Sequence, residues 1–176
     1  MESFEATKVR FPHLKEFFPF LEALNKESAR GRALISAGFL EEQLKRILLA
    51  FMLEGAKADE LIEGANAPLG TFSARTTACH VLGLITDNER DDLNLIRRIR
   101  NDFAHQVHTS FQTESIVSRC DQLKFKAKNY KKVDGTPVDV EADGQFTTAA
   151  VGLILTLTNR AHYVAQQRRT SQTWPD

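Results

Sequence analysis

Cysteine is scarce in this chain of 176 residues, which contains only Cys79 and Cys120. Neither belongs to a CxxC pair, so the sequence argues against a disulfide scaffold and against a thiolate zinc site. Surplus charge is missing too, since 23 basic residues balance 23 acidic ones. A nucleic-acid coat or a polybasic membrane binder needs excess cations, so we expect neither class, although a local basic patch fits this balance.

Long hydrophobic runs are also absent. The longest apolar segments, such as 47–53, are too short to span a bilayer. The N-terminus carries no apolar stretch flanked by positive charge, so no secretory signal is visible. We therefore expect a cytoplasmic protein with no membrane association. With 42% apolar and 26% charged residues, the composition is typical of a single globular domain.

Helical periodicity dominates what is present. Apolar residues return to one face at steps of three and four, and Thr86-Asp87-Asn88-Glu89 has the spacing of a capping box. We predict an all-α, single-domain helical bundle over 1–176. Segment 126–144 breaks the pattern and is predicted to be a mobile loop or a small hairpin at 130–140, and the tail 168–176 to be frayed. The predicted helices are 11–24 (interrupted or kinked at Pro19), 26–54 (ended by Gly55), 57–63, 71–81, 86–105, 113–125 and 148–167.

The fifth of these helices carries a charged residue on an apolar stripe. The stripe consists of Leu93, Ile96, Arg100, Phe103 and Val107. A guanidinium keeps its charge, so an inward Arg100 needs a carboxylate, carbonyls or a ligand. One interpretation is structural: Arg100 pairs between helices and His105 caps carbonyls. The other is a phosphate-directed site, in which Arg100 holds the phosphate and His105 exchanges a proton.

The segment Arg100-Asn101-Asp102-Phe103-Ala104-His105 is similar to the Arg-polar-x-x-x-His signature of HEPN domains. That superfamily consists of helical bundles that are often dimeric. Many members are metal-independent ribonucleases, while others only bind nucleotides or partners. The resemblance implies that Arg100, Asn101 and His105 would be catalytic if this chain cleaved RNA, and it implies a homodimer.

A wider set of segments resembles the mannitol operon repressor (MtlR) family. These are 66–75 (NAPLGTFSAR), 82–85 (LGLI) and 91–96 (DDLNLI), which leads into the 100–105 segment. The resemblance covers about 28–123 and is densest over 66–105. It implies an all-helical fold and transcriptional repression. The pair Arg100 and His105 is a departure from the typical member.

The sequence argues against direct DNA reading by a helix-turn-helix. The best candidate spans 73–96 with its turn at Gly83, yet Glu89 stands where the second helix would need an apolar residue. That helix also opens with several acids, which would face phosphates with negative charge. A repressor of this sequence is therefore expected to act through a protein partner.

Other candidate residues have two interpretations each. Arg75 lies near the start of the helix that follows the loop 66–70, and helix starts favour anions, so it could help to bind one. Alternatively, it pairs with an acid of the fifth helix. We place Arg75 and Asp102 with Arg100 and His105 as ligand-binding or partner-binding residues. A metal site formed by Asp102, His105 and His108 would lack a fourth ligand, so we expect no bound metal. We also expect no cofactor.

A basic run follows the sixth predicted helix and is interleaved with aromatic residues. It could track an RNA or DNA backbone, or it could be a solvated loop. Its candidate residues are Lys126, Lys128, Lys131 and Lys132.

Three functional hypotheses follow from the sequence. The first is a non-enzymatic regulator, a dimeric helical interaction module. The alternatives are a HEPN-type ribonuclease and a domain that binds a small molecule or nucleotide.

Overall fold

Two long helices form the centre of the fold in the computed structural model, which describes residues 10–64 and 66–175. A 3-10 turn at Pro12–Leu14 comes first, and two short strands, β1 (Tyr130–Lys131) and β2 (Pro137–Val138), precede the last helix. More than half of the chain is helical, which confirms the predicted all-α bundle. Among the described residues, no helix is long and apolar enough to cross a membrane. The helices are α1 (Phe17–Lys26), α2 (Ala29–Phe51), α3 (Ala56–Ile62), α4 (Phe72–Val81), α5 (Asp87–His105), α6 (Glu114–Gln122) and α7 (Ala142–Ala165).

The core lies between α2 and α7, which make the most extensive helix–helix contact of the bundle. Ala33 and Ala37 of α2 and Ala149 and Ala150 of α7 are fully buried, and small side chains let helix axes approach closely. Helices α4 and α5 pack on α2 and on each other, while α6 packs on α5 and α7. This arrangement brings the beginning of α4 beside the middle of α5.

The predicted capping box opens α5. Oγ1 of Thr86 accepts from the backbone N–H of Glu89 at 3.3 Å, and Oε2 of Glu89 accepts from the backbone N–H of Thr86 at 2.7 Å. Glu89 is buried and its Oε1 lies 2.9 Å from Nη2 of Arg160 on α7. A carboxylate is tolerated at this buried position because the cap and Arg160 together satisfy its oxygens.

The first two helices differ from the periodicity-based prediction. The segment predicted as one helix over 11–24 is a 3-10 turn followed by α1. Pro19 does not kink α1, because it is the third residue of that helix and its missing N–H would have no intrahelical partner. Helix α2 spans 29–51 instead of 26–54, since Ser28 is its N-cap. Gly55, with φ of +145°, precedes α3 and does not end α2.

Helix α6 ends at 122 instead of the predicted 125 because a buried carboxylate binds the next backbone segment. Asp92 of α5 accepts from the backbone N–H of Lys124 at 2.8 Å and from that of Phe125 at 2.9 Å. These bonds hold both residues outside the helix and fasten the end of α6 to α5.

The excursion after α6 contains the predicted hairpin. Strand β1 pairs antiparallel with β2, and Gly135 supplies the positive φ of the turn.

Helix α7 begins at Ala142, six residues before the predicted start, because Asp143 pairs with Arg32 of α2 and holds this turn against the bundle. The segment 168–175 has no helix or strand. Residues 1–9, where no secretory signal is expected, and Asp176 of the predicted tail lie outside the described residues.

Candidate functional site

A polar depression lies between the beginning of α4 and the middle of α5. Its volume is about 330 Å³, near the lower end of the range for small-molecule sites. It is partly open to solvent, and one acid and two arginines contribute its charges. The lining residues are Glu41, Gly70, Thr71, Phe72, Ser73, Arg97, Arg100 and Asn101.

The beginning of α4 presents backbone donors to this depression. Thr71 is the N-cap, and its Oγ1 accepts from the backbone N–H of Ala74 at 3.1 Å. The N–H groups of Phe72 and Ser73 have no acceptor among the described residues. Gly70 fits here because a Cβ would lie 3.0 Å from the carbonyl oxygen of Ala67. The first turn of α4 therefore keeps two unsatisfied N–H donors and the positive end of the helix dipole.

Two arginines of α5 face this helix end. Arg97 and Arg100 are three residues apart, so they lie on one face of α5. Nη1 of Arg100 donates to Oδ1 of Asn101 at 3.0 Å, while Nε of Arg97 is completely buried and has no acceptor among the described residues. No carboxylate of the described residues lies within 4.0 Å of either guanidinium. Two arginines against one acid therefore leave positive charge in the depression, and no described carboxylate lies within 4.0 Å of either guanidinium to neutralise it.

The apolar stripe predicted around Arg100 is shorter than expected. Leu93, Ile96 and Phe103 are fully buried, but Val107 is 81% exposed and lies beyond the end of α5. Arg100 is half-buried at the rim of the core and opens onto the depression.

Arg75 fastens the loop before α4 to the end of α3 and to α2. Its guanidinium donates to the carbonyls of Leu69 at 2.9 Å and Ile62 at 3.1 Å, and it lies 3.9 Å from Oε1 of Glu41. The alternative that Arg75 pairs with an acid of α5 is wrong, because its acidic neighbour Glu41 belongs to α2. Arg75 positions the loop before α4 and is not part of the lining.

Asp102 and His105 do not line the depression. Asp102 pairs with Arg119 of α6, and His105 is the exposed last residue of α5. The carbonyls at this helix end accept from Arg30 of α2, whose Nη2 lies 2.9 Å from the carbonyl oxygens of Gln106 and Val107. Arg30 therefore supplies the cap that the structural interpretation assigned to His105.

The lysines of the basic run lie away from the depression. Lys126 interacts with Asp121 of α6, with 3.5 Å between Nζ and Oδ1. Lys128, Lys131 and Lys132 are exposed on and before the hairpin.

The sequence interpretation missed Arg97, although it identified the helix start after loop 66–70 as a place that favours anions. The signal for Arg97 was present, because the run Arg97-Arg98-Ile99-Arg100 places two arginines at i and i+3 on one helix face. Nothing in the sequence indicated that this face meets the N-terminus of α4.

A second, apolar surface lies around α3 and along α4. We call it the α3–α4 groove; it combines depressions of about 650 and 600 Å³. Leu61 lines the first depression and Leu69 the second, and the backbone N–H of Leu69 donates to the carbonyl of Leu61 at 2.8 Å. Leu61 is 41% exposed, Leu82 44% and Val81 77%. Large apolar side chains clustered in this way are typical of a protein-binding surface.

Comparison with known proteins adds one structural likeness. No protein-family model matches the chain, and no curated protein matches it. Among solved structures, the chain is similar to one in the X-ray structure of the MtlR–HPr complex from Escherichia coli, with a TM-score of 0.58 and 20% sequence identity. The match covers 85% of this chain and 98% of that one. The likeness is one of fold. It agrees with the all-helical fold that the resemblance over about 28–123 implied.

Proposed function

We propose that this protein is a regulator of the mannitol operon repressor type that acts by binding a partner protein. The observation that carries the proposal is the likeness of fold to a chain from the MtlR–HPr complex, which extends over 98% of that chain. The family resemblance of segments 66–75, 82–85 and 91–96 supports it independently.

The α3–α4 groove is the surface that suits a protein partner. It is mostly apolar, and its exposed Leu53, Leu61, Val81 and Leu82 would leave water on association. Lys57, Arg169 and Glu54 border the same groove, and Lys57 pairs with Glu60, so an apolar patch with a polar rim on the partner would complement it.

The beginning of α5 is unsuited to reading DNA. Glu89 is buried in its ion pair with Arg160, and the exposed carboxylate of Asp87 interacts with His80 and Arg90. The second helix of a helix-turn-helix would have to bring these acids to the phosphates of the major groove. Regulation through a protein partner avoids this repulsion.

The test is calorimetric titration of the full chain with Escherichia coli HPr as the probe, comparing the wild type with two matched variants. Val81→Glu places a charge in the α3–α4 groove, while Val133→Glu places the same charge on the hairpin loop, where Val133 is fully exposed. We expect saturable binding that Val81→Glu weakens by about tenfold or more and Val133→Glu leaves unchanged.

Absence of saturable binding by the wild type would count against the protein-partner proposal. Equal binding by both variants would remove the α3–α4 groove from it. Circular dichroism of Val81→Glu shows whether a loss of binding reflects the surface or the fold, since Val81 is largely exposed and its substitution leaves the core intact.

A further inference from the structure

We propose that the depression between α4 and α5 binds the phosphate group of a small molecule, through Arg97, Arg100 and the first turn of α4. This inference does not depend on the protein-partner proposal, because it rests on Arg97 and Arg100 of α5, which do not line the α3–α4 groove. The shared chemistry is a tetrahedral dianion, supplied either by free phosphate or by a phosphate monoester.

The charge at the depression favours an anion. Arg97 and Arg100 face it without a carboxylate within 4.0 Å among the described residues, and Glu41 is the single acid of the lining. Several other arginines of the bundle are matched to acids, as in Arg160 with Glu89 and Arg119 with Asp102. Half-burying two unmatched guanidinium groups is costly, and a bound dianion would offset that cost.

The donors match phosphate in number and kind. Among the described residues, no hydrogen bond engages the terminal nitrogens of Arg97, and Arg100 donates only to Asn101, through Nη1. The N–H groups of Phe72 and Ser73 add two backbone donors at the positive end of α4, and the hydroxyl of Ser73 adds a third. Guanidinium forks and helix N-termini both bind phosphate oxygens well.

The size of the depression favours a small ligand. At about 330 Å³ and partly open, it has room for a phosphoryl group and a short organic portion. Arg75 and Gly70 make the site stiff, since Arg75 fixes the preceding loop through carbonyls and Gly70 packs closely on Ala67. A site with fixed donors loses little entropy on binding.

The experiment is calorimetric titration of the full chain with inorganic phosphate and with glycerol 3-phosphate, at ionic strength matched with sodium chloride. Arg97→Gln and Arg100→Gln each remove one guanidinium from the depression. Arg98→Gln is the matched control, because Arg98 belongs to the same helix but is exposed and borders a different depression with Asp91 and Asp121. We expect about tenfold or greater weakening for the two lining arginines and little change for the control.

A fourth variant separates binding from folding. Ser73→Asp places a negative charge in the first turn of α4, where it should maintain or raise the melting temperature through the helix dipole. The same charge should abolish phosphate binding by repulsion. A stable protein that no longer binds phosphate would support the site even if an arginine variant failed to fold.

Three outcomes would overturn the proposal: no saturable binding of either probe, equal weakening by Arg98→Gln and Arg97→Gln, or wild-type affinity in Ser73→Asp. Tighter binding of glycerol 3-phosphate than of inorganic phosphate would assign a monoester, and the reverse would assign free phosphate. The Val81→Glu variant keeps this site intact, so failure of the two proposals can be distinguished by titrating it with both HPr and phosphate.

Discussion

Replacing Glu89 tests how the helix that carries Arg97 and Arg100 is anchored. Glu89 is 3% exposed, accepts from the backbone N–H of Thr86 at 2.7 Å, and meets Nη2 of Arg160 at 2.9 Å. It therefore combines a helix cap with an ion pair between α5 and α7. The two contributions can be separated, because Gln at this position of a capping box keeps the cap and loses the charge.

The expected magnitudes follow from burial. Breaking a fully buried ion pair costs about 3–5 kcal/mol, and an exposed pair contributes about 0–1 kcal/mol. The side chain of Arg160 is 30% exposed while that of Glu89 is 4% exposed, so water screens one partner. We expect the free energy of unfolding to fall by about 2 kcal/mol in Glu89→Gln. The loss should be about 3 kcal/mol in Glu89→Ala, which also loses about 1 kcal/mol of capping.

Urea denaturation monitored by circular dichroism measures these differences. Asp91→Asn is the matched control, since Asp91 pairs with Arg90 on the exposed side of α5 and should change stability by less than about 1 kcal/mol. A double-mutant cycle with Arg160→Met should give a coupling of about 1–3 kcal/mol. Wild-type stability in Glu89→Gln, or strict additivity in the cycle, would refute the reasoning.

Three other measurements test separate features. Burial raises the pKa of the Cys79 and Cys120 thiols to about 12. Ellman's reagent at pH 8 should therefore react with neither thiol in the folded protein and with both in urea. Fast reaction of the native protein would contradict the burial of these side chains. Light scattering should give a homodimer, twice 19.8 kDa, and a monomer at high micromolar concentration would contradict this expectation. Purified protein in chelator should leave single-stranded RNA intact, and cleavage that His105→Ala abolishes would favour the ribonuclease hypothesis over the regulator.

Much of the fold could be predicted from local signals. The capping box at Thr86 and Glu89 and the apolar period of α2 and α7 act through neighbours in sequence, so their helices were identified correctly. Two of the boundary errors arose where distant residues decide the boundary. Asp92 ends α6 from 32 residues away, and the ion pair of Asp143 with Arg32 extends the start of α7.

Only part of the candidate site could be predicted from the sequence, because contacts between distant residues decide the rest. An arginine on an apolar stripe signals that something must neutralise it, and this signal identified Arg100. The identity of the neutralising group depends on tertiary packing. Arg75 satisfies carbonyls, Asp102 meets Arg119, and His105 remains exposed. None of these partners lies within the same helix.

The partners of other arginines in the bundle show how Arg97 in the depression differs from them. Arg30, Arg32, Arg75 and Arg160 each bind carbonyls or carboxylates of another element, which shows that this bundle uses guanidinium groups to join its helices. Arg97 shares their partial burial but lacks such a partner among the described residues. If Arg97 had a purely structural role, the cost of removing its guanidinium from water would stay uncompensated. Replacing it with a neutral side chain would remove that cost and stabilise the fold. Arg97→Gln should therefore retain or raise stability while losing phosphate, whereas a structural arginine would show the opposite stability effect.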